Sequence, residues 1–262
     1  MAKVSVMFSG SRGNSTYISG SGSSVLVDAG VSAKQIVLGL EQRMFEPTKL
    51  GGIFITHSHT DHISGLRVLL KKYNIPVYAS KETLGSLILE GVFSASNKYY
   101  DIEDSPKLFI DMGVEFFRTS HDCEGSGGYA FTLQNGEKIS VCTDLGYVSD
   151  SVRNTITGSK MVVIESNHDV GMLQNGVYPF ATKQRILSNE GHLSNVACAG
   201  ELPELVKNGA TNIVLAHLSR DNNTPDLADV TARSVLMENG LKADVDYNLS
   251  VAPPSGGKII YI

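Results

Sequence analysis

A chain of 262 residues, 42% apolar and 19% charged, can bury a sizeable core, and with no linker or repeat it reads as one domain over residues 1–262. No run approaches the roughly 20 apolar residues of a membrane-spanning helix, and Val4–Phe8 is too short for a secretory signal, so a cytoplasmic protein without a membrane partner is expected. Three cysteines, Cys123, Cys142 and Cys198, without Cys-x-x-Cys spacing exclude a disulfide framework, and a formal charge of −5 excludes an abundant DNA coater.

Lys3–Phe8 reads as a strand. The small polar loop Ser9–Ser15 follows; its Ser11, Gly13 and Asn14 either offer donors to a phosphate or form an ordinary turn. Thr16–Ser19 and Val25–Asp28 predict a hairpin across Gly20–Ser23, and Ser32 is placed to cap a helix over Ala33–Arg43. A strand over residues 52–56 leads to a polar loop and then an amphipathic helix through Ile63–Leu70. Pro76–Ala79 reads as a strand and Lys81–Leu89 as a helix, whereas 91–106 has no period and is a candidate mobile loop. Strands are expected at Leu108–Ile110, Val114–Thr119 and Tyr129–Gln134, with Lys138–Cys142 returning after the Asn135-Gly136 turn. A helix near Asp150–Ile156 precedes the strand Met161–Ile164. Helical patterns near 182–188, 194–206 and 226–239, the strand Ile213–Ala216, and closing strands Asp244–Val251 and Lys258–Ile262 complete the chain. Two mixed sheets packed face to face, with helices on both outer faces, would bury this pattern.

The loop His57-Ser58-His59-Thr60-Asp61-His62 concentrates three imidazoles and a carboxylate. A lone histidine is usually structural; this set is the donor chemistry of a zinc-type site. His57 and His59, one residue apart on extended chain, can point the same way, while Asp61 and His62 at the helix start can turn to the other side. One loop can therefore feed two ions. His121, Asp144 and His217 each stand just past an apolar strand, where one rim of a sheet would present them together.

With Asp28 in Val27-Asp28-Ala29-Gly30, these residues resemble the metallo-β-lactamase superfamily in identity and order. The resemblance implies a four-layer αββα sandwich (α/β, α+β) with a dinuclear cleft at one end. It implies that His57, His59 and His121 bind one ion, that Asp61, His62 and His217 bind the other, that Asp144 bridges, and that Asp28 orients ligands from behind. Zinc or manganese is implied, and the donor set also accepts iron.

Within that superfamily, an intact His59 argues against the redox branch, and only 45 residues after His217 leave little room for a thioesterase's helical extension. Glu165 and His192 point to the nuclease branch: Glu165 can hold His192, and His192 can stabilise or protonate phosphate or leaving-group oxygen. Asp61 could orient the attacking water while also binding metal. Asn167 and His168 are further candidates for the substrate rim, and Lys71, Lys72, Lys183 and Arg185 are candidate phosphate contacts or simply solvated charges. Segments from Ser9 to Asn223, including Glu165-Ser166-Asn167-His168-Asp169 and Gly191-His192-Leu193-Ser194-Asn195, resemble the YycJ/WalJ group of bacterial metallo-hydrolases. That resemblance implies a 5′-to-3′ exonuclease on double-stranded DNA linked to mismatch repair, DNA being favoured over RNA. No large inserted cap fits, since 20 residues separate Asp144 from Glu165 and 26 separate Glu165 from His192. The alternatives are a small-molecule ester, thioester or cyclic-phosphate hydrolase with the same metals, and a binding protein that has lost catalysis.

Overall fold

The structure, a computed structural model, describes residues 2–104, 108–109 and 111–262, with Leu108 described by its backbone only. The first sheet contains β1 (Lys3–Phe8), β2 (Ser15–Ser19), β3 (Ser24–Val27), β4 (Gly52–Phe54), β5 (Val77–Ala79) and β6 (Tyr99–Asp101). The second contains β7 (Leu108–Phe109), β8 (Met112–Arg118), β9 (Gly127–Leu133), β10 (Lys138–Cys142), β11 (Met161–Glu165), β12 (Asn212–Ala216) and β13 (Asn248–Val251). The last strand, β14 (Ile260–Tyr261), returns to the first sheet beside β1. Among the described residues the sheets are seven-stranded each, in the orders β14-β1-β2-β3-β4-β5-β6 and β13-β12-β11-β10-β9-β8-β7.

Three apolar clusters show how the layers stack. One joins the first sheet to α1 (Ala33–Gln42), α3 (Leu66–Tyr73) and α4 (Lys81–Leu89), α2 (Thr60–Ile63) being the short turn before α3. A second joins the second sheet to α5 (Asp150–Ile156), α8 (Asn195–Lys207) and α9 (Pro225–Glu238). The third, with Val4, Ile18, Phe54, Tyr129, Phe131 and Val163, lies between the sheets. The order helix, sheet, sheet, helix is the expected αββα sandwich. Serines cap α1, α4, α5 and α8, each accepting a backbone N–H from the first turn. None of the described helices is long and apolar enough to cross a membrane.

Several elements differ from the sequence pattern. The strand expected over 52–56 ends at Phe54, and the expected single helix is two, broken at Ser64-Gly65, because the loop must turn back toward β3. The stretch 91–106 contains β6, which pairs in parallel with β5; residues 105–106 and Ile110 lie outside the described residues. A helix over Val170–Asn175 (α6) had no sequence signal, and α7 runs over Phe180–Leu187. The closing strands shrink to β13 and β14.

Strand direction positions the site. β3 and β4 run in parallel, as do β10, β11 and β12, and β8 is antiparallel to a neighbour of β10, so it runs with them. The residues that follow these strands therefore share one rim. Three of them, Asp28, Asp144 and His217, hold left-handed backbone at φ 64°, 59° and 55°. Non-glycine residues are held there only where surrounding contacts outweigh the local cost.

The motif loop is stitched to the turn after β3. Asn14 N–H donates to the Asp61 carbonyl, Gly30 N–H to that of Asn14 and Ala29 N–H to that of His62, all at 2.8 Å. A Cβ on Gly30 would stand 1.7 Å from the Asp61 carbonyl oxygen. Gly30→Ala should therefore lower stability by about 3 kcal/mol or more through forced overpacking. Urea unfolding measures it, and an unchanged midpoint refutes this close packing.

Candidate metal centre

Thr56 and Asp28 form the floor of the site. The Asp28 carboxylate accepts Thr56 N–H at 2.9 Å and the Thr56 hydroxyl at 3.0–3.1 Å. Its Oδ2 takes His62 Nδ1 at 2.8 Å, and the Thr56 hydroxyl lies 3.0 Å from His57 Nδ1. Both rings are fully buried, with their Nδ1 atoms tied to this floor. His57 Nε2 then has no hydrogen-bond partner. A buried polar atom left this way is rare, and a cation is a partner that suits it.

Donor atoms of His57, His59 and His121 lie within 4.8 Å of one another, and so do those of Asp61, His62 and His217. Asp144 lies between the trios, with Oδ2 3.2 Å from His62 Nε2 and Oδ1 3.9 Å from His121 Nε2. His121 Nδ1 donates to the Gly191 carbonyl at 3.1 Å, which leaves its Nε2 facing His59 Nδ1 at 3.3 Å. The seven residues expected to ligate metal thus stand together, and His57, His62 and Asp144, as well as Asp144, Glu165, His192 and His217, also bring donor atoms within 4.8 Å of one another.

Glu165, fully buried, ties the second trio to the rest. Oε1 accepts from His217 Nδ1 at 2.7 Å and His192 Nδ1 at 2.9 Å; Oε2 accepts Leu193 N–H at 2.9 Å and Leu145 N–H at 3.2 Å. The sequence reading paired Glu165 with His192 but missed its hold on His217.

The electrostatics are those of a cation site. Burial pushes against the charged forms of Asp144 and Glu165, but the neighbouring imidazoles overcome it, holding Asp144 well below the carboxylate range and Glu165 at about 2. Burial likewise opposes charge on His217, yet Asp144 and the bonds to Asp61 and Glu165 raise it to about 10.

The cleft above this floor, of about 300 Å³, is lined by Ser11, His59, Asp61, Asp144, Asn167, His192, His217 and Ser219, and by Tyr178, Thr182, Arg185 and Ile186 from α7 and the turn before it. Of the residues expected at a phosphate, Ser11 lines the cleft. Asn167 does too, with its Nδ2 donating to the His217 carbonyl at 2.9 Å. Gly13 N–H bonds the Gly10 carbonyl, and a Cβ there would meet Gly30 and Val31. Asn14 is buried, its amide between Gly10, Asp61 and His62. His168 is 1% exposed and outside the cleft lining. Arg185 pairs with Asp122, whose other oxygen is 3.4 Å from His121 Nε2. Lys183 donates to the Gln174 carbonyl, while Lys71 and Lys72 sit exposed in the last turn of α3. Sequence reading missed Thr56, Asp122, Tyr178 and Ser219, none of which carries a local signal.

Comparison with known proteins places this geometry. A model of the metallo-beta-lactamase superfamily matches residues 9–181. The chain is 39% identical over 260 residues to the exodeoxyribonuclease YycJ of Bacillus anthracis, covering 98% of each chain. It is 37% identical over 255 residues to the exodeoxyribonuclease WalJ of Streptococcus pneumoniae serotype 2, covering 96% of this chain and 94% of that one. The metallo-beta-lactamase fold protein YhfI from Bacillus subtilis superposes with a TM-score of 0.73 at 17% identity, over 99% of this chain and 98% of that one.

Two outcomes follow from these contacts. Glu165→Ala leaves His217 and His192 without their acceptor, so affinity for zinc should fall about 10–100-fold, as read by competition with a chromogenic chelator; unchanged affinity refutes the clamp. Burial holds the His168 imidazole down at about 4, against an ordinary 6.5. Between pH 6.5 and 4 the unfolded chain binds a proton that the native chain does not, so stability falls as pH falls through that window. Urea midpoints at pH 6.5 and 4.5 should differ less in His168→Gln than in the unsubstituted protein; equal differences refute this.

Proposed function

The chain belongs to the metallo-β-lactamase superfamily, and from that premise we propose that it is a two-metal phosphodiesterase degrading double-stranded DNA from the 5′ end. The observation that carries this reading is the Glu165 clamp: one buried carboxylate fixes both a residue of the second trio, His217, and a residue of the cleft, His192. The near full-length likeness to two exodeoxyribonucleases supports the substrate class.

In this reading His57, His59 and His121 would hold one ion and Asp61, His62 and His217 the other, with Asp144 standing between the two sets. When bound, the two divalent ions, zinc or manganese, supply Lewis acidity and a water acidic enough to attack near neutral pH. Asp28 and Thr56 hold His57 and His62 in orientation. Asp61, 23% exposed, orients the attacking water. With His192 Nδ1 bound to Glu165, Nε2 is the ring nitrogen left for substrate, and although burial opposes it, Glu165 keeps this ring readily protonated. His192 then donates to a non-bridging oxygen or to the leaving oxygen. Ser11, Arg185 and Ser219 supply phosphate contacts from the cleft wall. Gly13, Asn14 and His168 serve the scaffold, on the contacts described above.

A cleft of about 300 Å³ also suits a small ester or cyclic phosphate, which is the second reading. Duplexes labelled at the 5′ or 3′ end, digested with manganese, zinc or iron in turn, separate the two. The 5′ label should appear first as a mononucleotide, Asp61→Ala should abolish it, and His192→Ala should slow it about 10²–10⁴-fold. Hydrolysis of a chromogenic phosphodiester with no cleavage of DNA or RNA would establish the small-molecule reading instead.

A further inference from the structure

The helix α7 has no buried residue, yet it forms one wall of the cleft. It is held by polar ties: Arg185 to Asp122, Lys183 to the Gln174 carbonyl, Tyr178 to Asp221 at 2.8 Å, and the His192 N–H to the Ile186 carbonyl at 3.0 Å. Its inner side presents Tyr178, Thr182, Arg185 and Ile186 to the cleft. Its outer side carries Phe180, 77% exposed, next to Val177, 92% exposed. An eight-residue helix without core contacts has little stability of its own, so burial in the fold does not account for this aromatic.

The charge of the segment identifies what fits it. Residues 170–189 contain Lys183 and Arg185 and no Asp or Glu, in a chain of net charge −5. With Arg185 paired to Asp122, Lys183 is the cation three residues from Phe180, and an exposed aromatic beside it, on the helix whose other side walls the cleft proposed for phosphodiesters, matches a polyanion that also carries flat apolar faces. We infer that α7 is a stacking platform for a single-stranded nucleic-acid end, with a base on Phe180 and its neighbouring phosphates facing Lys183. The inference rests on the phosphodiesterase reading and deepens it: the strand that enters the cleft does so unpaired, its next base held on the outside of α7. A second copy of the chain is the competing occupant.

The chain has no tryptophan, so Phe180→Trp installs a single fluorophore at the platform. In an Asp61→Asn background, which prevents digestion, a thymidine decamer should quench this tryptophan, and an abasic oligonucleotide with the same phosphates should not. By fluorescence anisotropy with a labelled decamer, Phe180→Ala should bind about ten-fold more weakly. Phe180→Tyr should bind like the parent and Phe180→Leu like Phe180→Ala, because stacking and not apolar character is read. No quench, equal quench by the abasic strand, or unchanged affinity in Phe180→Ala overturns the platform. So does a dimer in sedimentation that Phe180→Ala dissociates, since the face would then join two copies. This binding test needs no hydrolysis: quenching without any nuclease activity rejects the enzymatic reading alone, and nuclease activity without quenching rejects the platform alone.

Discussion

The site depends on a buried carboxylate that is never left alone. Glu165 has no solvent contact, and all its bonds come from groups that matter to the cleft: two imidazoles and the backbone of the loops carrying Leu145 and His192. A buried charge is tolerable only when paired and hydrogen-bonded. Here the requirement locks the ends of β10, β11 and β12 and the loop between α7 and α8 into one constellation. Asp28 does the same for the first sheet, binding Thr56 and His62. The two halves of the sandwich thus each contribute one orienting carboxylate, and Asp144 lies where they meet.

This arrangement explains the backbone at the rim. Asp28, Asp144 and His217 follow strands and turn at once into left-handed conformation. A strand that simply continued would carry these side chains away from the cleft. The turn brings each back over the end of its sheet, and the contacts of the floor hold it there. Asn167 contributes by bonding the carbonyl of His217, so a polar residue at the cleft edge also fixes the backbone of a neighbouring site residue.

The sequence made the site legible where chemistry is concentrated and hid it where geometry is. His57–His62 stand out because six adjacent positions hold four candidate ligands, and His121, Asp144 and His217 because each follows an apolar strand. The αββα layering was legible for the same reason, as strands and caps are local signals. Thr56 was not, since a threonine closing an apolar run looks like any strand residue until Asp28 is folded beneath it. Asn14 lies between the two readings the sequence left open: a glycine- and serine-rich loop has the composition of a phosphate cradle, and its side chain turns inward to support Asp61 and His62. The helix α7 was legible near 182–188, but its place as a wall of the cleft was not, because its ties to Asp122, Asp221 and the Gln174 carbonyl are long-range and polar.

If the proposed function holds, an acidic protein acting on a polyanion must separate its charges. Most negative groups at this site are buried or tied to a cation: Asp28, Asp144 and Glu165 are buried, and Asp122 is paired with Arg185, while Asp61 opens to the cleft beside His62 and His217. The wall that meets the substrate carries no acid over residues 170–189. Carboxylates set beneath the floor attract metal at short range, where the dielectric is low and their fields are strong. On the proposed reading, ions held there would reverse the sign of the field that an approaching phosphate meets. Net charge therefore says little about this substrate; the depth at which each charge is placed decides it.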